Sequence, residues 1–371
     1  MLSQIIRRTG TVSLLIALMA GSSPVLAQSA TMIDGPAGEL PLYESEGAVG
    51  FSIYNGAVSR WAQHDIPNLT ACLAAYAPKV KLISADPRGD AATQMSQVQS
   101  MLVQDIDVLL ITPVALTPTN IVRAAKQANV LVIDYLNPPV GLEDGDMVAL
   151  VGDGPVPIGM AQGQWIHDTQ PDGAKIALIN GDLATNYALL MQRGQMSVLQ
   201  ADFDSGKFTL VANKGAVNWD PSNAQKEAAA VLISNPDIKA FIVGNDGLAG
   251  GVINAIRNAG KIGEIAVIGL DADAQGSQNI LQGNQTASVI KSFTDEMNNA
   301  CVAVIYSLHD QPVPTDYFTD VWNDQTAAMP FRDVKVKVVD KSNLQEAIDI
   351  GSVTLEDMCE DLPAGIGAPC P

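Results

Sequence analysis

Asp and Asn predominate at the polar ends of a series of short apolar runs: Asn55, Asp86, Asp134, Asp153, Asn180 with Asp182, Asn245 with Asp246, and Asp271 with Asp273; Thr112 and Lys291 end two others. A carboxylate accepts hydrogen bonds from two neighbouring hydroxyls, and an amide both donates and accepts. In a dry cleft such charge-assisted bonds are strong, and leaving the groups unpaired is costly. That chemistry suits a polyhydroxylated ligand. Taken singly, each position is better explained as a loop start or a helix cap. As a set, at nearly every run, they describe a site for a polar molecule.

Aromatic residues are only 5% of the chain, so the four Trp are informative. Trp61 opens the stretch after the first apolar run, and Trp219 lies in the loop Val217-Asn218-Trp219-Asp220-Pro221. Indole beside Asp and Asn is a carbohydrate-site composition, because the C–H faces of a sugar ring stack on it; packing at a lobe edge is the plain alternative. Trp165 reads as core, and Trp322 has no assignment. Catalytic motifs are missing: no Gly-x-Ser-x-Gly, His-Glu-x-x-His, phosphate loop or Gly-x-Gly-x-x-Gly after the first run. The three histidines, His64, His167 and His309, are far apart in sequence; His64, one turn from Arg60, has the best chance of facing a cleft. No cofactor or metal is expected, and the protein does not read as an enzyme.

The elements that position these residues alternate. Apolar runs at 49–54, 80–84, 108–112, 130–135, 147–151, 175–180, 209–212, 240–243, 265–270 and 287–290 are mostly continuous and rich in Val and Ile, as strands buried on both faces should be. Helical periodicity fills the gaps, at 92–103, 119–128, 158–167, 188–201, 223–233, 247–258 and 295–308. This is βαβ organisation with parallel sheets, in which ligands bind beyond the carboxyl ends of the strands. A single eight-unit barrel is the competitor. The strand number and the length of the chain favour two doubly wound α/β lobes instead.

The N-terminus bears on the compartment. Arg7 and Arg8 precede an apolar stretch over 12–20 and then Val25-Leu26-Ala27, the order of a cleaved secretory signal peptide whose core is too short to span a bilayer. The first cysteine is Cys72, so no lipid anchor is expected. Loss of residues 1–27 leaves 19 basic against 40 acidic side chains, a net charge of −21. Such a chain repels nucleic acid and anionic lipid. With 47% hydrophobic residues and 16% charged, it nonetheless has the composition of a folded protein. Four cysteines in an oxidising compartment allow three pairings. Cys359 and Cys370, in a Pro/Gly-rich tail, are expected to form a structural disulfide, and Cys72 and Cys301 read as buried free thiols within helices.

Several segments together resemble the type I periplasmic sugar-binding proteins of ABC importers, and within them the xylose-binding members. They are Ser59-Arg60-Trp61, Ala92-Thr93-Gln94-Met95-Ser96-Gln97-Val98, Asp107-Val108-Leu109-Leu110-Ile111-Thr112-Pro113, Arg193-Gly194-Gln195-Met196, Gly244-Asn245-Asp246, Leu270-Asp271-Ala272-Asp273 and Val289-Ile290-Lys291. The resemblance runs from about residue 49 to 363. It implies two lobes joined by a three-segment hinge, closing on a ligand. Carried over residue by residue, the implied ligand contacts are Arg60, Trp61, Asp134, Asp153, Asn186, Trp219, Asn245, Asp271 and Lys291. Two positions depart: Tyr135 stands where the xylose-binding pattern has Arg, and Gly154 where it has Asn. Losing a planar five-donor fork removes directed hydrogen bonds, and Tyr135 is expected to restore one or to stack. The expected ligand therefore widens from xylose to a related pentose, a deoxysugar or a linear polyol.

The resulting organisation is a signal peptide (1–27), an N-terminal arm (28–47), a first lobe (48–151 with 291–325), a second lobe (152–290 with 326–350) and a tail (351–371). The expected function is a monomeric periplasmic binding component that captures a small sugar and docks on the membrane permease of an ABC importer. A ligand-binding partner of a chemoreceptor and a secreted carbohydrate-active enzyme using Asp271 and Asp273 are the alternatives.

Overall fold

The computed structural model describes residues 40–323 and 326–370; the expected signal peptide and residues 28–39 of the arm lie outside them. Two open sheets are present, as expected, and the competing single barrel is not formed. The first lobe starts with β1 (Gly47–Ser52), a π-helical turn Trp61–Asp65, α1 (Ile66–Tyr76), β2 (Val80–Ala85), α2 (Ala91–Val103), β3 (Val108–Ile111), α3 (Thr119–Gln127), β4 (Leu131–Tyr135) and β5 (Leu150–Val151). The chain then crosses to the second lobe: α4 (Pro155–Thr169), β6 (Ala174–Asn180), α5 (Asn186–Ser205), β7 (Phe208–Gly215), α6 (Pro221–Ser234), β8 (Ala240–Val243), α7 (Asp246–Asn258), β9 (Ala266–Leu270), α8 (Ala274–Leu281) and β10 (Ala287–Ile290). It returns for α9 (Phe293–Leu308), β11 (Asp320–Asn323) and β12 (Ala328–Arg332), and crosses a third time to β13 (Lys337–Asp340), α10 (Gln345–Asp349) and α11 (Leu355–Cys359).

The first sheet runs β11-β12-β5-β4-β3-β1-β2 and the second β13-β10-β9-β8-β6-β7. Both are parallel except at one edge, where β11 pairs antiparallel with β12 and β13 with β10. The central strands β3, β8 and β10 are buried at every residue, because helices cover both faces. Helix starts are set by short polar caps: Asp90, Thr185, Asp220, Asn245, Asp273 and Ser292 each accept a bond from a backbone N–H in the following first turn.

Three expectations need correction. The pairing of β12 with β5 places residues 328–332 in the first lobe, so the third crossover lies at 333–336 and not before 326. β11 to β13 escaped the sequence reading: β11 is mostly exposed, and β12 carries Pro330 in its middle. Cys72 and Cys301 are no free thiols. They form a disulfide between α1 and α9, Cα–Cα 6.0 Å, tying the start of the first lobe to its returning helix. The expected Cys359–Cys370 bridge is present, and the tail it closes packs on the second lobe through Met358 and Cys370.

Candidate functional site

The strand ends of the two lobes face each other across a cavity of about 70 Å³. The first lobe contributes Tyr54, Arg60, Trp61, Thr112 and Asn137, and the second Tyr187, Trp219, Asn245 and Asp271, with Lys291 on the second crossover. Direct bonds join the lobes around it. Asn55 Nδ2 donates to the Asn218 carbonyl (2.9 Å), Ser59 Oγ to Asp273 Oδ2 (3.0 Å), Asn186 Nδ2 to the Pro138 carbonyl (2.8 Å) and the Tyr187 N–H to Asn137 Oδ1 (2.9 Å). The lobes are therefore closed on one another.

Backbone strain concentrates at these strand exits. Leu136, Asn218, Trp219, Asp271 and Ala272 all have positive φ without being glycine. Such conformations persist only where the surroundings impose them, and they gather at ligand clamps. The Trp219 ring lies so close over Gly181 that a Cβ there would come within 2.1 Å of it. Glycine at 181 is what lets the indole lie flat over the end of β6.

A buried charge network forms the floor. Arg60 binds Asp65 with two parallel bonds (2.8 and 2.9 Å), reaches Glu296, and gives a further bond to Tyr135 Oη (3.2 Å). Tyr135 Oη in turn donates to Asp65 Oδ1 (2.6 Å). Lys291, 1% exposed, pairs with Asp153 and lies 3.3 Å from Asp271 Oδ1 and 3.5 Å from Glu296 Oε1. Burial works against the ammonium of Lys291, but Asp153 and Glu296 outweigh it and hold its pKa well above the ordinary lysine range. Arg60 is held charged in the same way, by Asp65 and Glu296 against burial. Burial pushes the Glu296 carboxyl up to about 8, against the pull of Arg60 and Lys291 and with the help of Asp153.

Several lining groups have polar atoms with no protein partner among the described residues: Trp61 Nε1, Thr112 Oγ1 and Tyr187 Oη. Buried polar atoms are normally satisfied, so such a set marks where a polar molecule belongs. Among the described residues no cluster of His, Cys, Asp and Glu has a metal-holding arrangement, and no helix is long and apolar enough to cross a membrane.

Of the residues read from sequence, Arg60, Trp61, Trp219, Asn245, Asp271 and Lys291 line the cavity together. Asn245 combines both readings, its Oδ1 capping α7 at Leu248. The others stand elsewhere. Tyr135 is not part of the cavity lining; fully buried and edge-on to Trp61, it props Arg60 both directly and through Asp65. Asp153 lies behind the lining, spent on Lys291. Asn186 ties the lobes together. Asp134 is buried, with neither oxygen bonded to a partner among the described residues. On β4, Ile133 and Tyr135 enter the core under α1 and α9, so Asp134 follows Val132 to the opposite face, under α2 and α3. His64 stacks on Phe293, 4.5 Å between ring centres. Trp165 packs on the core of the second lobe as expected, and Trp322 packs on Phe331 at the sheet edge.

Sequence reading missed Asp65, Glu296, Asn137 and Tyr187. Thr112 was legible as a strand end, but nothing local distinguishes the two acids from other helix carboxylates.

Comparison with known proteins agrees with this geometry. Residues 49–310 match the periplasmic binding protein domain. The D-xylose-binding periplasmic protein of Escherichia coli is 30% identical over 308 residues, 82% of this chain and 90% of that protein. A D-ribose/D-allose-binding protein of Pseudomonas aeruginosa is 29% identical over 210 residues, 55% of this chain and 63% of the relative. Among solved structures, a carbohydrate-transporter solute-binding protein of Chloroflexus aurantiacus in complex with D-glucose superposes with a TM-score of 0.74 at 24% identity, covering 84% of this chain and 98% of that one. The myo-inositol-binding protein of Caulobacter does so with a TM-score of 0.69 at 22% identity, covering 84% and 99%. A two-lobed α/β fold, a polar cleft at its strand ends and a family match over most of its length establish that this chain belongs to the periplasmic binding protein family.

Proposed function

We propose that the protein binds one monosaccharide, a pentose such as xylose or a related polyol, between its lobes and presents it to the membrane permease of an ABC importer. The observation that carries this is the lining of the cleft. Two indoles, Trp61 and Trp219, stand with Arg60, Lys291, Asn245 and Asp271 around partnerless buried polar atoms. Indole faces suit C–H faces, and the charged and amide groups suit hydroxyls. The sugar-binding relatives support the ligand class. Tyr135, turned away into the core, leaves the guanidinium of the xylose-binding pattern unreplaced, which favours a ligand with one hydroxyl fewer or differently placed.

The ligand undergoes no chemistry in this reading. A paired-carboxylate mechanism at Asp271 and Asp273 is disfavoured, because Asp273 is committed to the Gly276 N–H (2.8 Å) and to Ser59. Closure follows from contacts that a ligand makes better with the closed lobes than with open ones. The mature protein is a monomer that begins near residue 28 in the periplasm, and the mass of protein recovered from that compartment checks the cleavage. The function itself is tested by a thermal-shift screen against pentoses, hexoses, deoxysugars and polyols, followed by calorimetry. A stereospecific, one-to-one hit is expected, since a ligand that binds only the folded state raises the melting temperature. No shift with any carbohydrate would refute the reading.

A further inference from the structure

Glu296 touches both cations of the cleft. Its Oε2 accepts from Arg60 Nη2, its Oε1 lies 3.5 Å from Lys291 Nζ, and its side chain is fully buried. It also sits at a mechanical junction. Asp153, on the first crossover, stands within hydrogen-bonding reach of Glu296 and pairs with Lys291 on the second. Asp153 Oδ1 and Glu296 Oε1 have no hydrogen-bond partner among the described residues, and Lys291 stands beside both carboxylates, paired with Asp153 and 3.5 Å from Glu296 Oε1. Two carboxylates in contact favour one proton between them, since like charges at such range raise the pKa of one of the pair. Asp333, on the third crossover, approaches the same point, against Gly154.

We propose that Glu296 is the positioning residue of this cleft: carrying one proton toward Asp153, it holds Arg60 and Lys291 in place for the ligand and makes the grip on ligand depend on that proton. The inference rests on the sugar-binding reading above. Facing Glu296 are Arg60 with Asp65 and Tyr135 behind it, Lys291 with Asp271 and Tyr187 around it, and Asp153 with Asp333 beyond it. With Glu296 protonated, the cations Arg60 and Lys291 face Asp65, Asp153 and Asp271. Losing the proton adds one more buried negative charge and sets Glu296 against Asp153. A neutral ligand that seals the cleft from water makes that charge harder to bear, so binding retains the proton. Glu296 titrates near pH 8, whereas Lys291 is held charged well above that.

The test is calorimetric binding between pH 6.5 and 9.5, using whichever of D-xylose, D-ribose, D-glucose and myo-inositol binds the wild type. By linkage, wild-type affinity is expected to fall about tenfold between pH 7 and 9.5. Glu296→Gln, which keeps a neutral carboxyl-like group, is expected within about threefold of wild type at pH 7 and flat across the range. Glu296→Leu is expected to bind at least about tenfold more weakly at pH 7, from the loss of a buried charge-assisted bond. Should the Leu variant not fold, the pH profile of the Gln variant decides alone. A pH-independent wild type, or a Gln variant that keeps the same fall, overturns the proposal. A wild type that binds none of the four but binds another carbohydrate in the wider screen is measured with that one. A wild type that binds no carbohydrate fails the sugar reading itself and takes this proposal with it.

Discussion

Replacing Asn186 with alanine removes one bond between the lobes, the 2.8 Å donation from its Nδ2 to the Pro138 carbonyl, and nothing the structure assigns to the cavity lining. Asn186 is the first residue of α5, after the Thr185 cap, and alanine there does not weaken the helix. A neutral, part-buried hydrogen bond contributes about 0.5–1.5 kcal/mol net. All of that falls on the closed state, so the closed-to-open ratio drops by about two- to twelvefold at an RT of about 0.59 kcal/mol. Apparent affinity follows the fraction of binding-competent protein, so Kd rises by up to the same factor, in full when the ligand-free protein is mostly open. The distinguishing feature is uniformity. A residue that ties lobe to lobe weakens every ligand equally, whereas a residue that touches the sugar weakens ligands according to the hydroxyl it meets. Calorimetry of wild type and N186A with one sugar, its epimer and its deoxy analogue separates the two. A loss that vanishes for the analogue lacking one hydroxyl would refute the latch and restore Asn186 to the ligand.

Three further outcomes are expected. C72A/C301A removes a bridge across a sequence separation of 229, worth about 5 kcal/mol in the chain-entropy model, and lowers the urea midpoint markedly while sugar affinity at 25 °C is retained; an unchanged midpoint in oxidised protein counts against it. For Asp134, burial alone raises the carboxyl pKa well above its ordinary value. A carboxyl raised in the folded state favours folding at low pH, and that contribution is lost as pH rises from the ordinary carboxylate range through the folded pKa. D134N is therefore more stable than wild type at pH 8 and close to it at pH 4 in urea unfolding, and parallel pH profiles would contradict the assignment. G159A places a Cβ 1.9 Å from the Met191 carbonyl where α4 crosses α5, and is expected to cost about 1–3 kcal/mol by overpacking, read as a lowered melting temperature.

What could be read from sequence follows the range of the interactions involved. β3, β8 and β10 announce themselves because both faces are buried, and their ends locate the cleft because a parallel sheet binds ligand there. β11 carries no such signal, being mostly exposed at a sheet edge. Asp134 and Tyr135 were read as one site, yet neighbours on a strand point to opposite faces, and neither ends in the cavity lining. Glu296 and Arg60 are 236 residues apart, and only the fold brings them together. Cys72 and Cys301 look like buried thiols for the same reason.

The two staples also differ in when they can form. A chain synthesised from its N-terminus presents Cys72 long before Cys301, and the whole of β6 to β10 emerges in the interval. The second sheet, apart from its edge strand β13, can thus assemble while the first still lacks α9, β11 and β12. Cys359 needs only 11 more residues to meet Cys370. Since β10 ends only 11 residues before Cys301, both sheets are incomplete through almost the whole interval, and Cys72 has no partner thiol in the emerged chain. In that interval Cys72 is open to mispairing, and Cys301 is the residue whose arrival ends it.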